Sequence, residues 1–175
     1  MALERLVIDG YGQLELNNAA FRRSGRIEAQ CKIAAAIDYV ENGMLLAVDN
    51  VNREVKYPDG KLPVALNYSS EHMYDDRANG LKNFKLEKNT YLPRLGYLGA
   101  GDKYTTNCIA YETTEFATET ALKEAIAAVK TAPLYAKTCA NGAHQITKES
   151  EGAVALVVCE STMPDGQYAV KFQAI

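Results

Sequence analysis

The sequence predicts an α+β fold that is mainly β: an antiparallel, barrel-like sheet core, one amphipathic helix at about 119–131, and an extended N-terminal arm. Three observations carry this. Several short runs alternate apolar and polar residues with period two, the pattern of half-buried strands. One stretch, Leu122, Ala125, Ile126 and Val129, repeats at i, i+3, i+4 and i+7, which places four apolar side chains on one helix face. Residues that favour turns (Asn, Asp, Pro, Gly) punctuate the runs. The division expected is an arm over residues 1–26 and a single β-rich domain over 27–175, with the N-terminal segment equally readable as a first strand of the domain itself.

Within the arm, Leu14 and Leu16 alternate with Gln13 and Glu15 until Asn17-Asn18 breaks the run. Phe21 and a small basic cluster, Arg22, Arg23 and Arg26, follow. Ile27, Ala29, Cys31 and Ile33 alternate with polar neighbours and predict the first strand of the domain. Ala34 to Val40 fits either a short helix, capped by Asn42-Gly43, or irregular chain. Met44–Val48 and Val51–Tyr57 read as an antiparallel pair, with Asp49-Asn50 tolerating the left-handed backbone of the turn. Tyr57-Pro-Asp-Gly60 is a second turn and Val64–Tyr68 a short strand. Ser69 to Gly80 is polar without period and reads as a loop.

Tyr91–Tyr97 and Lys103–Tyr111 are the next strands, joined by Gly99-Ala-Gly101; the second is rich in the Tyr and Thr that a pleated surface favours. The helix has Thr118 as its cap, Glu119 in its first turn and Pro133 as its stop. Ala153–Cys159 is continuously apolar, as a strand covered on both faces would be. Met163-Pro-Asp-Gly166 supplies a turn, and Tyr168, Val170, Phe172 and Ala174 then alternate with polar or small residues.

At 175 residues the chain is long enough for one domain that holds its fold without staples. A hydrophobic fraction of 47% and a charged fraction of 23% are those of globular chains, which argues against disorder. A net charge of −3 with scattered Lys and Arg gives no basic face for nucleic acid. Met1–Gly12 lacks the apolar core of a signal peptide, and the longest apolar run, Ala153–Cys159, is far short of a bilayer span, so neither secretion nor a membrane partner is expected. Cys31, Cys108, Cys139 and Cys159 form no CxxC pair and read as reduced thiols packed as small hydrophobes.

No catalytic constellation is expected, nor any cofactor or metal. His72 and His144 stand outside any ligand spacing and read as surface residues. None of the serines lies in GxSxG. A Cys139–His144 dyad is conceivable but is too local for the way such pairs are built. Gly96-Tyr-Leu-Gly-Ala-Gly101 has the glycine spacing of a phosphate loop, but Asp102 replaces the lysine and would repel phosphate. Asp75-Asp76, and Glu149 with Glu151, read as solvated charge, and Asn67-Tyr-Ser69 is a glycosylation sequon that matters only in a secreted chain. The eleven tyrosines suit sheet packing, with a few, such as Tyr11, available as interface anchors.

Four stretches, Gly80-Leu-Lys-Asn-Phe-Lys-Leu86, Tyr91-Leu-Pro-Arg-Leu-Gly-Tyr97, Gly101-Asp-Lys-Tyr-Thr-Thr-Asn107 and Thr162-Met-Pro-Asp-Gly-Gln167 with the strand after it, resemble small head proteins of tailed bacteriophages. Gly10-Tyr-Gly-Gln-Leu14 and Phe21-Arg-Arg23 resemble the start of such proteins. The resemblance implies a non-enzymatic virion component, made in the host cytoplasm, that decorates and stabilises the capsid. Its partner would be the major capsid protein in many copies per particle, with room for a homo-oligomer on the shell. The residues expected to meet the capsid are Leu3, Leu6, Ile8, Tyr11, Leu14, Phe21, Arg22, Arg23 and Arg26. Two alternatives stay open: another virion part, such as a tail or head–tail joining protein, and a β module that binds a small ligand or glycan in a Tyr-lined pocket.

Overall fold

A computed structural model describes residues 2–69, 81–90 and 92–175. Among these residues lie sixteen short strands and one α-helix, in two large sheets and one two-stranded ladder, so the chain is α+β and mainly β. The Ser69–Gly80 loop expectation beyond residue 69, His72, Asp75-Asp76 and Tyr91 fall outside the described residues.

Numbered along the chain, the larger sheet runs in spatial order β1 (Leu3–Arg5), β12 (Ile109–Glu112), β14 (His144–Thr147), β13 (Tyr135–Thr138), β15 (Ala155–Thr162), β16 (Tyr168–Ala174), β11 (Lys103–Thr106) and β2 (Leu14–Glu15). The second sheet is β3 (Ile27–Glu28), β10 (Leu95–Gly96), β8 (Val64–Asn67), β6 (Leu45–Asp49), β7 (Glu54–Lys56) and β4 (Lys32–Ile33). A small ladder joins β5 (Tyr39–Val40) to β9 (Leu86–Glu87). The described strands pair antiparallel except for β12 with β14 and β4 with β7, which run parallel.

One connection dictates the shape of the larger sheet. β11 and β12 are seventh and second in the spatial order, yet only Asn107 and Cys108 separate them. In a flat sheet five spacings would put them roughly 24 Å apart. Three Cα steps reach at most about 11 Å. The sheet therefore curls until its two ends approach. Tyr104 of β11 accordingly hydrogen-bonds His144 of β14, four strands away in the sheet order, at 3.0 Å. The outermost strands β1 and β2 do not pair with each other, so the barrel-like expectation is corrected: the sheet curls but does not close.

The corner also corrects the single strand expected over Lys103–Tyr111. Side chains compete there with the ladder. Thr106 Oγ1 donates to the Gln13 carbonyl (2.6 Å) and accepts from the Cys108 amide (3.0 Å), while Asn107 Oδ1 accepts the Gln13 amide (2.7 Å). The alternation from Ile27 to Ile33 is likewise split. β3 and β4 lie at opposite edges of the second sheet, with Cys31 and Ile33 buried but Ile27 exposed. Ala34–Val40 is not helical; it ends in β5.

Two apolar clusters hold the layers. The first gathers Tyr104, Ile109, Ile146, Val157, Val170 and Phe172 of the curled sheet with Leu45, Leu66 and Tyr68 from the second sheet and its neighbouring loop. Helix α1 (Glu119–Ala127) adds Leu122 and Ile126 to it, two of the four residues its periodicity picked out. Thr118 caps it as expected, its hydroxyl accepting the Ala121 amide at 3.2 Å. The helix ends at 127 rather than near 131, as the chain tightens through hydrogen-bonded turns before Pro133, where helical backbone is disfavoured. The second cluster packs Met44, Leu46, Val48, Val55 and Ala65 with Cys108, Ala110, Cys139 and Ala143. Leu45 thus faces one core and its neighbours Met44 and Leu46 the other, and all five residues of β6 are buried.

Candidate functional site

Residues 2–26 run from one edge of the curled sheet to the other. β1 pairs with β12 and β2 with β11. An apolar segment that can complete a sheet edge gains both ladder bonds and burial, which explains why it is not a free arm. Leu6, Leu14 and Phe21 are 3, 6 and 0% exposed, so these three expected contacts are core residues instead. Leu3 and Ile8 are half-buried and pack against the second and first clusters. Tyr11, also half-buried, meets the Tyr39 ring edge-on at 5.4 Å, with the Lys85 ammonium over both rings. Only Arg22, Arg23 and Arg26 are exposed.

Contacts of the half-buried Arg5 fasten β1. Its guanidinium pairs with Glu41, which is 1% exposed, and lies 3.5 Å from the Cys108 sulfur. Glu41 also accepts the Gly12 amide, and its backbone carbonyl accepts Asn67 Nδ2 at 2.8 Å. Burial opposes the charge on Arg5, yet the neighbouring Cys108 and Glu41 carry its pKa above the ordinary arginine value.

After β2 the chain makes a tightly held loop. Asn17 takes a left-handed backbone (φ 47°) and its Oδ1 accepts Thr105 Oγ1 at 2.8 Å. Asn18 exchanges bonds with Lys103, its Oδ1 accepting the amide at 2.5 Å. The Phe21 ring stacks obliquely on Tyr68 (4.8 Å) and against Gly96, where any Cβ would collide with the ring. Above this base, Leu16, Asn17, Asn18, Ala20, Arg22 and Arg23 surround an open hollow of about 730 Å³.

The glycine-rich segment after Gly96 explains its own phosphate-loop resemblance. Asp102 accepts the amides of Gly99 (2.9 Å) and Ala20 (3.2 Å) and the guanidinium of Arg26 (2.9 Å). A carboxylate of the chain already fills the amide cradle. Arg26, immediately before β3, is thereby a structural clamp on the loop, and it also donates to the Tyr97 carbonyl.

Three groups that could act as base or nucleophile, His144, Cys139 and Cys108, are held in structural contacts. His144 was expected at the surface; it is fully buried at the start of β14, where Ala143, His144 and Ile146 line the interior. Its Nδ1–H donates to the Cys108 carbonyl (3.3 Å), which leaves Nε2 to accept from the Tyr104 hydroxyl (3.0 Å), and its ring stacks on Phe172 at 4.9 Å. Burial lowers its pKa to about 4. The Cys139 thiol donates towards the Ala143 carbonyl (3.1 Å) and Asn141 Oδ1 (3.0 Å), not to His144, and burial raises its pKa. Burial pushes the Cys108 thiol up to about 12. These are neutral groups in a packed interior rather than reagents.

Among the described residues no three His, Cys, Asp or Glu converge as a metal site would require, and no helix is long and apolar enough to cross a membrane. The buried polar set that ties the corner together, Glu41, Asn67, Asn107 and His144, carries no local sequence signal, except that His144 alternates in phase with Ile146. In comparisons with known proteins, no family model, no curated protein and no solved structure matches this chain.

Proposed function

We propose that this protein is a non-catalytic virion component that decorates the capsid and binds the major capsid protein through the rim built by its N-terminal segment. The observation that carries the reading is the placement of residues 2–26. One continuous segment supplies the outermost strand at both ends of the curled sheet and then displays Arg22 and Arg23 on a braced loop. An outermost strand offers backbone donors and acceptors to a neighbouring chain, and repetition over a shell turns weak contacts into avidity. The resemblance of the chain to small phage head proteins points the same way.

The test is to mix the purified chain with undecorated capsids and count bound copies. Saturable, lattice-stoichiometric binding supports the reading; no binding sinks it. Deleting residues 1–26 is not a usable control, because it removes two strands and three core side chains. A second reading, a small-ligand module, draws on an apolar hollow of about 430 Å³ beside Ala34, Ala36, Ile37 and Tyr57. Stabilisation by a sugar or nucleotide in a thermal-shift screen would favour it, since a specific ligand stabilises the state it binds.

A further inference from the structure

We propose that this protein pairs with a second copy of itself about a two-fold axis, each copy seating Val51 in the apolar hollow that Ala34–Ala36 and Tyr57 form on the other. The pairing goes beyond the capsid reading and does not depend on it. Knob, socket and the charges around them all lie on neighbouring stretches of the chain.

The knob is Val51. It stands in the turn between β6 and β7 and is 92% exposed, more than any other exposed large apolar side chain among the described residues. A single exposed valine is ordinary. This one, however, sits among Asn50, Asn52 and Arg53, in a turn whose own chemistry calls for residues such as Asn, Asp or Gly. The turn is also rigid. Asp49, itself buried, accepts the amides of Val51 (3.1 Å) and Asn52 (3.0 Å), Asn52 Nδ2 (2.8 Å) and the Lys56 ammonium (2.6 Å). Asn50 is held in addition by the Cys31 thiol, 3.8 Å from its Oδ1. An apolar side chain carried on a braced turn gives up little freedom when it is covered, which lowers the cost of association.

The socket is the hollow of about 430 Å³ beside β7. Its wall is apolar because three consecutive alanines present only methyl groups there, alongside Ile37 and the Tyr57 ring. Ala35 and Ala36 are exposed, so the hollow opens to the surface. It has room for an aliphatic side chain of valine's size.

The position of the knob is what commits the socket to a second copy. Val51 lies three residues before Glu54, which lines the socket, so the two are at most about 11 Å apart along the chain. At 92% exposure the knob does not fill its own socket. A knob beside a socket meets the requirement of an isologous contact, since a two-fold axis between them puts each into its counterpart. The charges obey the same symmetry. Exposed Arg53 and half-buried Glu54 are adjacent and of opposite sign, so across the axis each Arg53 meets the other copy's Glu54. Glu54 also has the Lys32 ammonium at 3.4 Å, and a carboxylate has acceptor positions for both. Two knobs in two sockets are a small contact beside the roughly 1,200 Å² that stable complexes bury. The pair is therefore weak in dilute solution and gains where many copies crowd one surface.

Sedimentation equilibrium of the full chain up to about 1 mM should show monomers and dimers exchanging. Val51→Asp carries a charge into the socket and Ala36→Leu fills it, so each should weaken the dimer about tenfold or more. Val7→Asp, at the other highly exposed valine, should leave it unchanged. All three replace exposed residues, and thermal midpoints should stay where they are. The decisive measurement mixes two variants. Val51→Asp keeps its socket and Ala36→Leu keeps its knob, so a mixed pair has one sound contact where each variant alone has none. The mixture should therefore associate more tightly than either component. No self-association at about 1 mM, an undiminished dimer in either variant, a mixture no tighter than its components, or growth past the dimer overturns the pairing. So does a sugar or nucleotide whose thermal shift Ala36→Leu abolishes in a protein that stays monomeric, since the hollow then belongs to a small ligand.

Discussion

Protonating His144 would set a charge between the rings of Tyr104 and Phe172, where its hydrogen-bond partners are a hydroxyl and a carbonyl. The folded protein resists this until about pH 4, whereas an exposed histidine takes its proton near 6.5. Between those values the unfolded chain binds more protons, so stability is complete above pH 6.5 and declines as pH falls, by up to about 3 kcal/mol. Urea midpoints at pH 7.5 and pH 5 should show most of this loss, and His144→Gln should flatten the dependence. The carboxylates whose pKa values are lowered, Glu119 and Asp165 among them, lose stability chiefly as pH falls below their ordinary values of 4.5 and 3.8, and so add little to the change between pH 7.5 and pH 5. Two further substitutions test single contacts. Glu41→Gln leaves the mostly buried Arg5 without its counter-charge and should cost about 3 kcal/mol in chemical denaturation. Gly96→Ala forces its new methyl into Phe21 and should cost about 2 kcal/mol. Adding Phe21→Leu should cost less in that background than alone, since the smaller side chain vacates the disputed space.

The N-terminal segment shows what an element contributes beyond its length. β1 and β2 have only three and two residues, yet Leu6, Leu14 and Phe21 travel with them into the core. A chain beginning at residue 27 should lack a cooperative thermal transition and the dispersed amide spectrum of the intact protein. Several elements were legible from local pattern. The β6–β7 and β15–β16 hairpins form where the apolar and alternating runs and their turn residues placed them, and Gly166 takes a positive φ (86°) in the turn between β15 and β16. The Asp49 turn forms as well, although its side chain braces it by accepting the Val51 and Asn52 amides, and the left-handed residue is Arg53. Legibility ended where a residue's partner lies far along the chain. Nothing in Thr106-Asn107-Cys108 announces a corner, because Gln13 supplies the bonds that make it. Ala153–Cys159 reads as uniformly apolar, but β15 is buried on alternate residues until the irregularity between Val157 and Cys159, with the other face only half-covered. Of the expected contact residues, the arginines stayed outside because charge keeps them there; the apolar ones were drawn in by the same hydrophobicity that marked them as contacts.

At the scale of the molecule the two sheets share their interior. Leu45 and Leu66 of the second sheet belong to the same cluster as Tyr104 and Phe172 of the curled one, and Cys108 at the corner and Ala110 of β12 belong to the cluster beneath β6. Neither sheet can lose its packing alone. Far-ultraviolet dichroism, which reports strands, and tyrosine fluorescence, which reports the rings of both cores, should give one coincident denaturation curve; two separate midpoints would refute the shared core.

The two-residue corner at Asn107-Cys108 sets an order of events for a chain emerging from the ribosome. β1 waits for β12, roughly a hundred residues later, and β2 waits for β11, which itself needs β16 at Tyr168–Ala174. Until residue 174 is free of the exit tunnel, the apolar side of the N-terminal segment has no place to go. Pairings this distant fold slowly. The segment that we assign to capsid binding is therefore made before the strands it pairs with and settles only after them, and for that interval it is open to whatever chains surround it.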